Sequence, residues 1–239
     1  MSVTNKPQIE LYLGGTGSGK GVSINRRLAE LKPTRLIIWD PRNEYGKHAP
    51  RYDSTPEVAG SLIHAKKGPV RVRYVPGANM DLKEAFGIIC KMAFHAKDIV
   101  FLAEELSDVT TPSWAPPAWK QVITQGRHNG LHILGAAQRP ALIDKSCLSA
   151  ATLVRGFMMG YDEDNKVMAK ELRANIADVE ALVTDEQGSK TVIKYLERVR
   201  RTRELFSGTI TISGDRFAEK RDLLGVGATQ SAGKGRGAT

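Results

Sequence analysis

The stretch Leu11-Tyr-Leu-Gly-Gly-Thr-Gly-Ser-Gly-Lys-Gly21 decides the fold of this chain. An apolar run, Ile9 to Leu13, leads into it, and a segment with helical character, Val22 to Leu31, follows it. The spacing Gly14-x-x-x-x-Gly19-Lys20 matches GxxxxGK, in which glycines let backbone N–H groups surround phosphate oxygens at the start of a helix. The stretch therefore predicts a phosphate-binding P-loop between a strand and a helix.

Lys20 is expected to reach the β- and γ-phosphates of a bound nucleotide, here ATP. The alternative is a flexible glycine loop that only joins a strand to a helix, and the full spacing after an apolar strand argues against it. The residues predicted to contact ATP are Gly15, Thr16, Gly17, Ser18, Gly19, Lys20, Gly21 and Val22.

The residue after Lys20 departs from the usual pattern, because Gly21 stands where a Ser or Thr hydroxyl normally binds Mg²⁺. Mg²⁺ keeps several waters in such sites and relies on substrate phosphates, so a water can fill the vacant position. Thr16, Ser18 and Ser23 offer further hydroxyls, although none stands at the expected place. The sequence thus predicts an intact phosphate site and a magnesium site with one protein ligand fewer.

A second stretch, Asp98-Ile-Val-Phe-Leu-Ala-Glu-Glu105, reads as a buried strand that ends in two carboxylates. In a P-loop protein this is the Walker B position. Glu104 is predicted to hold Mg²⁺, directly or through water, and Glu105 to polarise the water that attacks the γ-phosphate. The alternative is that both glutamates are exposed and cap a following helix. The catalytic interpretation requires that they face the glycine loop at the edge of a parallel sheet.

A third segment, Gln125 to Pro140, contains a basic helix end, a buried strand over Leu131 to Ala137, and then Gln138. A glutamine at the end of a strand beside the P-loop can sense the γ-phosphate or orient the attacking water. Arg127 lies on the part of this segment that can face a neighbouring subunit, and an arginine finger supplied in trans accelerates hydrolysis by about 10³ to 10⁵. Pairing of Arg127 with a surface carboxylate is the alternative.

The length of 239 residues suits one large α/β domain with a short appendage. We expect a P-loop ATPase core over residues 1–205, a strand and a helix over 206–225, and a disordered Gly- and Ser-rich tail over 226–239. The chain has no run of about 18 apolar residues and no signal-peptide segment at its start. These features predict a cytoplasmic protein without stable membrane insertion. Cys90 and Cys147 stand in apolar contexts and are expected to be buried free thiols.

The net charge is +9, and residues 190–239 contain eleven Lys or Arg against five Asp or Glu. A polyanionic partner is one explanation and a solvated basic surface is the other. The segment Ser107 to Pro117 is rich in proline and carries a tryptophan, with another tryptophan and a lysine just after it. Packing of both tryptophans on the domain is the alternative to contact with nucleic acid. The candidate DNA contacts are Trp114, Trp119, Lys120 and Arg139.

Four segments together resemble the FtsK–HerA superfamily of P-loop motor ATPases: Gly14-Gly-Thr-Gly-Ser-Gly-Lys20, Asp40-Pro-Arg-Asn-Glu-Tyr45, Ile99 to Glu105, and Gly126-Arg-His-Asn-Gly-Leu-His132 running into Gln138-Arg-Pro140. The last is the most specific, and the match covers roughly residues 9 to 160. Because the chain shows neither an N-terminal membrane segment nor a DNA-reading module, it is most similar to the genome-packaging ATPases of tailless, icosahedral, internal-membrane double-stranded DNA viruses.

This resemblance implies a three-layer α/β sandwich of the RecA/ASCE type, with a mostly parallel sheet in the strand order 5-1-4-3-2. It also implies ATP and Mg²⁺, a ring, commonly of six subunits, with double-stranded DNA in its pore, and possible capsid or portal-vertex partners. In such a ring Arg127 is the trans finger and Gln138 the polar sensor. The implied location is the host cytoplasm, with the virion as a second location. The chain departs from many relatives in Gly21 and in Glu104, where they have Asp.

Several functions stay open at this point. A DNA-translocating ATPase predicts hydrolysis that double-stranded DNA stimulates and salt weakens. A nucleotide-binding assembly or scaffolding protein with little hydrolysis is compatible with the missing hydroxyl at Gly21. A small-molecule kinase is less favoured, because the sequence shows no obvious arginine-rich lid segment. An ATPase for DNA transfer or phage extrusion is also less favoured, because such proteins usually carry a membrane anchor.

Overall fold

The computed structural model describes residues 8–226, so the tail predicted over 226–239 lies outside the described residues except for Val226. The strands are β1 (Gln8–Leu13), β2 (Arg35–Trp39), β3 (Arg51–Tyr52), β4 (Val70–Tyr74), β5 (Val100–Ala103), β6 (His132–Ala137), β7 (Leu153–Gly156), β8 (Thr184–Gln187), β9 (Lys190–Val199), β10 (Glu204–Ser213) and β11 (Arg216–Val226). The α-helices are α1 (Lys20–Leu31), α2 (Thr55–Ala65), α3 (Leu82–Ala96), α4 (Leu106–Val109), α5 (Pro117–Gln125), α6 (Lys145–Ala150), α7 (Asp162–Leu172) and α8 (Ile176–Glu180). Two 3₁₀ helices cover Gly126–Asn129 and Pro140–Leu142.

The described strands form one mixed sheet in the order β11-β10-β9-β7-β1-β6-β5-β2-β4-β3, with β8 paired to β9. The strands from β7 to β3 in this order are parallel, whereas β9, β10 and β11 are antiparallel. The order 5-1-4-3-2 is therefore not the order of the whole sheet. The run β7-β1-β6-β5-β2 lies at its centre, but β4 and β3 extend one side and the antiparallel strands extend the other.

Helices cover both faces of the parallel strands, as expected for an α/β sandwich. Side chains alternate between the two faces along a strand, and β1 shows this directly. Leu11 and Leu13 belong to the apolar cluster that includes residues of α3 and α5, whereas Tyr12 belongs to the cluster that includes residues of α1. The predicted fold class is confirmed.

The C-terminal part of the described chain differs from the prediction. The helix expected in the second half of residues 206–225 is wrong, because residues 216–226 form β11, which pairs with β10 from Ser213 opposite Arg216 onward. Gly214 has a φ of 55° in the tight turn that joins the two strands, a conformation that favours glycine. Most residues of β11 are exposed, so its sequence has no apolar periodicity. The tight turn at Gly214 is therefore the local feature that favours a hairpin.

Two smaller expectations can be compared with the structure. Cys90 and Cys147 are buried free thiols, as predicted. Among the helices of residues 8–226, none combines the length and the apolar character that crossing a lipid bilayer requires.

Candidate nucleotide-binding site

The predicted P-loop lies between β1 and α1, at the carboxyl end of the parallel strands. Gly17 and Gly19 have φ values of 69° and 103°, which residues with a Cβ atom rarely adopt. Within residues 8–226, no side chain caps the N-terminus of α1. The first amide N–H groups of this helix can therefore bind an anion, assisted by the helix dipole.

The loop is supported from behind by neighbouring strands. The Gly14 amide donates to the Ala137 carbonyl at 3.1 Å, which ties the loop to the end of β6. A Cβ atom at Gly19 would lie 2.7 Å from the side chain of Ile193 on β9. Any other residue at position 19 would require the Ile193 side chain to shift and would also be strained by the positive φ.

Lys20 folds back onto the loop. Its ammonium donates to the carbonyls of Gly14 and Gly15 at 2.7 and 3.0 Å, and the residue is buried. Burial lowers the pKa of Lys20 from its usual value, and the carboxylates of Glu104 and Glu105 oppose that shift. The cation thus lies near both glutamates, at the place where a terminal phosphate would bring negative charge.

The hydroxyls considered for Mg²⁺ are in different situations. Nothing lies within 4 Å of a Cβ atom built on Gly21, so the position of the usual Ser or Thr is open space. Ser23 is buried and accepts a hydrogen bond from Arg155 at 2.9 Å. The Ser18 hydroxyl is buried and has no hydrogen-bond partner among the described residues, and the Thr16 hydroxyl donates to Gln138. None of the three stands at the position directly after Lys20.

Glu104 and Glu105 follow β5 and are both only 6% exposed. The Tyr45 hydroxyl donates a hydrogen bond to Oε1 of Glu104. The Glu105 amide donates to Oε2 of Glu104 at 3.2 Å. Their burial contradicts the alternative of two exposed, helix-capping glutamates. Glu105 has a φ of 48°, an uncommon conformation for a side chain of this kind and one often found at functional sites.

Gln138 connects the P-loop to the second carboxylate. The Thr16 hydroxyl donates to Oε1 of Gln138 at 2.7 Å, and the Gln138 amide donates to Oε1 of Glu105. Arg42 also approaches this carboxylate, with Nε 3.9 Å from Oε1. The ends of β1, β6 and β5, which are neighbours in the sheet, thus bring their polar residues to one place, as the sequence predicted.

The pKa of Glu104 is raised to about 7. Burial is the main cause, and the neighbouring Glu105 carboxylate adds to it, whereas the Tyr45 hydroxyl and Lys20 act in the opposite direction. The charged form of Glu104 is therefore costly in the absence of a cation. A bound cation would restore ionisation, because opposite charge stabilises the carboxylate.

Tyr45 was not predicted from the sequence, and the turn after β2 explains its position. Asp40, which is fully buried, accepts hydrogen bonds from the amides of Glu44 at 2.9 Å and Tyr45 at 3.0 Å. Arg73 on β4 donates to the same carboxylate at 2.9 Å. The available signal was the polar run Asp40 to Tyr45 directly after a buried strand, but its contact with Glu104 spans 59 positions of sequence.

Arg127 does not lie with these residues. It is exposed in the 3₁₀ helix that precedes β6, and its Nε is 3.4 Å from the ring of His128. The P-loop lies beyond the other end of the same parallel strands. A six-residue strand such as β6 spans about 20 Å, so Arg127 cannot reach the P-loop of its own chain.

The candidate DNA contacts are dispersed. Trp119 is fully buried, donates from Nε1 to Asp144 at 3.0 Å and packs on Phe86. Trp119 packs in the core and is not exposed to contact DNA, so the alternative of packing applies to this residue. Trp114 is 42% exposed, and Lys120 is exposed.

Arg139 is engaged within the chain. Its Nε donates to the buried carboxylate of Asp164 at 2.5 Å, and its guanidinium lies 3.9 Å from the ring centroid of Tyr161. Asp164 also accepts from the amide of Ala141 at 2.9 Å. These contacts fix the segment that follows Gln138.

Few side chains near the P-loop are suited to bind Mg²⁺. The described residues contain no group of three or more His, Cys, Asp or Glu that could hold a metal ion. Mg²⁺ bound with a nucleotide needs no such group, because phosphates and waters supply most of its ligands. Glu104 offers one carboxylate, and the open space at Gly21 has room for water. The residues present fit a magnesium–nucleotide complex rather than a metal site that forms without nucleotide.

Comparison with known proteins gave the following relatives. The sequence matches no family model. Protein P9 of Pseudoalteromonas phage PM2 is 31% identical over 161 residues, which cover 61% of this chain and 71% of that protein. The genome packaging NTPase B204 of Sulfolobus turreted icosahedral virus 2, in complex with AMP, superposes with a TM-score of 0.62 at 18% identity, covering 86% of this chain and 96% of that chain. The DNA-packaging ATPase B204 of Sulfolobus Turreted Icosahedral Virus gives 0.59 at 15% identity, covering 85% and 98%.

Proposed function

This chain belongs to the family of Protein P9 of Pseudoalteromonas phage PM2, and on that premise we propose that it is a P-loop motor ATPase of the FtsK–HerA superfamily, which hydrolyses ATP to move double-stranded DNA into a preformed viral capsid. The observation that carries the proposal is the chain of contacts from Thr16 through Gln138 to Glu105. The packaging role is supported by the solved neighbours, a genome packaging NTPase and a DNA-packaging ATPase.

ATP binding would use the loop and the start of α1. The backbone N–H groups of the glycine turn and of the uncapped helix surround the phosphates. Lys20 exchanges the carbonyls of Gly14 and Gly15 for phosphate oxygens, and the exchange favours its charged form, which burial disfavours. Nucleotide binding therefore releases a constrained lysine rather than ordering a free one.

Hydrolysis would depend on the two carboxylates and on Gln138. Glu105 accepts the proton of the attacking water, and Gln138, held between Thr16 and Glu105, orients that water. Placement of these groups supplies most of the catalysis, because phosphoryl transfer requires little covalent chemistry from the protein.

Glu104 is the residue that would hold Mg²⁺, directly or through water, while water takes the place that Gly21 leaves open. When bound, the ion neutralises charge on the β- and γ-phosphates. Tyr45 orients Glu104 through its hydrogen bond, and burial excludes bulk water from both glutamates.

Arg127 would act in a neighbouring subunit. It is exposed and lies at the opposite end of the strands from its own P-loop, so a second copy must bring its Arg127 to the nucleotide. A ring would provide such sharing at every subunit boundary, and six subunits is the commonest arrangement in the superfamily. Capsid or portal-vertex proteins are further proposed partners, and the host cytoplasm and virion are the proposed locations.

One experiment tests the motor function. ATP turnover of the purified chain is measured with and without double-stranded DNA over a range of salt concentrations, with Lys20→Ala as the hydrolysis-deficient control. A motor gives turnover that DNA stimulates, and stimulation that salt weakens because backbone contacts release counterions. Equal ATP turnover with and without DNA at low salt contradicts the proposal.

A second candidate function is a nucleotide-dependent assembly or scaffolding protein with little hydrolysis. The specific observation in its favour is the open space at Gly21 in place of a metal-binding hydroxyl. It predicts ATP binding with negligible turnover in the wild type, and no further loss of turnover in Glu105→Gln.

A further inference from the structure

A basic cleft lies at the opposite end of the parallel strands from the P-loop. It is formed by α6, the end of α7, the end of β9 and the turn that leads to β10, and its volume is about 590 Å³. β9 ends there, since Val199 pairs with Leu153 at the start of β7. The basic side chains lining the cleft are Lys145, Lys170, Arg173, Arg198, Arg200 and Arg203.

The negative charge in the cleft does not balance these cations. Glu171 is the one acidic residue among those that line it, and its carboxylate is already paired with Arg200. Arg200 also donates to the carbonyls of Leu148 at 2.7 Å and Ser149 at 3.0 Å, at the end of α6. Arg200 and Glu171 thus form part of the wall, and within residues 8–226 the other five cations pair with no carboxylate.

Arg198 is the most deeply buried cation of the cleft, with only 3% of its surface exposed. Its NH1 group donates to the Leu172 carbonyl at 3.1 Å, and among the described residues it has no ion pair. Burial lowers the pKa of Arg198, and the charges of Arg173, Arg200 and Arg203 lower it further. A buried guanidinium among like charges is unfavourable unless an anion enters.

We propose that this cleft binds the phosphodiester backbone of double-stranded DNA. The assignment rests on the proposed function, in which DNA is the translocated substrate. Arginine suits phosphate because its planar fork can donate two parallel hydrogen bonds. The described residues that line the cleft include no aromatic ring, so they offer no surface on which a base could stack. The lining therefore favours a backbone over a free nucleotide.

The test uses a triple variant, Lys170→Gln, Arg173→Gln and Arg203→Gln. These side chains make no hydrogen bond or ion pair within residues 8–226 and line the cleft, so their loss should leave the fold intact, as thermal unfolding checks. Binding of a fluorescent duplex is measured by anisotropy across salt concentrations. We expect the affinity at low salt to fall about tenfold or more, and the slope of log K against log salt to decrease by about 3.

The matched control is Lys66→Gln, Lys91→Gln and Lys97→Gln, which removes the same charge from exposed positions on and beside α2 and α3. An equal loss of affinity in both triple variants would show a general charge effect and overturn the proposal. Unchanged affinity in the cleft variant, with a wild type that binds DNA, would also overturn it while the motor function stands. A wild type that does not bind DNA contradicts both.

Two further readouts separate other occupants. In a Lys20→Ala background, residual ATP binding that the cleft variant removes would identify a free nucleotide as the ligand and overturn the assignment to DNA. Mass photometry of each variant reports the oligomeric state. A cleft variant that loses self-association but keeps its DNA affinity per subunit would identify the cleft as an interface between copies, which also overturns the proposal.

Discussion

The Thr16 hydroxyl and the Gln138 amide oxygen are 2.7 Å apart, a direct hydrogen bond between the phosphate loop and the end of the adjacent strand β6. The same glutamine donates to Glu105. A single side chain therefore contacts both the loop that is proposed to bind phosphate and the carboxylate that is proposed to activate water.

Gln138→Ala should reduce kcat by about 100-fold with a much smaller change in KM, because the contacts that it removes orient water rather than bind ATP. Steady-state ATP turnover measures both constants. Gln125→Ala, at the exposed end of α5, is the control and should match the wild type. A variant whose KM alone rises would assign Gln138 to nucleotide binding.

Glu105→Gln should reduce turnover by about 10² to 10⁴, the usual contribution of a general base. Binding of a fluorescent ATP analogue should persist, since neither the loop nor Lys20 changes. Glu180→Gln makes the same substitution at the exposed end of α8 and should retain turnover. Equal turnover in Glu105→Gln and wild type would exclude Glu105 as the base.

Gly21→Ser should increase the affinity for Mg²⁺ during ATP turnover, because a Cβ atom at this position meets no other atom within 4 Å. The new hydroxyl would stand where the common pattern has one. Gly21→Ala is the matched control, because it adds the Cβ atom without the hydroxyl. The prediction fails if the Mg²⁺ concentration for half-maximal turnover is the same in both variants.

Tyr45→Phe should raise the pKa of Glu104 above its value of about 7. The hydroxyl donates to the carboxylate and so favours the charged form. If turnover requires ionised Glu104, the acidic limb of the pH–rate profile should move to higher pH, with lower activity near pH 7 and recovery above it. Tyr52→Phe removes a hydroxyl that bonds Ser61 instead and should leave the profile unchanged, whereas an unshifted limb in Tyr45→Phe would contradict the role of this contact.

Arg127→Ala should lower turnover by about 10³-fold or more if the guanidinium acts across a subunit boundary. Mixed with wild type in equal amounts, it should reduce activity below one half, because each variant subunit inactivates the site of its neighbour. Arg216→Ala, at the exposed start of β11, provides the control mixture. Activity that falls only in proportion to the wild-type fraction would place Arg127 outside a shared site.

The parts of the site that follow from local patterns could be predicted from the sequence. The glycine spacing before Lys20 and the carboxylates after an apolar strand each identify the end of a strand. Because parallel strands end at one edge of the sheet, these ends predict that Thr16, Gln138 and Glu105 lie along the same edge, and the neighbouring order of β1, β6 and β5 brings them into contact.

Other features depend on contacts between distant segments. The bond between Tyr45 and Glu104 depends on the turn around Asp40, and nothing near Tyr45 in sequence indicates it. Trp119 appears in a segment with the composition of a surface loop, yet α5 turns it inward toward Asp144. β11 exposes most of its residues, so it has no apolar pattern that would distinguish a strand from a helix.

The narrow fit of Gly19 against Ile193 has a consequence for how this molecule can move. β9 pairs with β10, and β10 with β11, so the phosphate loop packs against a three-stranded antiparallel ribbon that extends to the margin of the sheet. Any displacement of the loop toward β9 must push that ribbon or compress the isoleucine. The phosphate loop is therefore restricted in its movement on the side that faces β9.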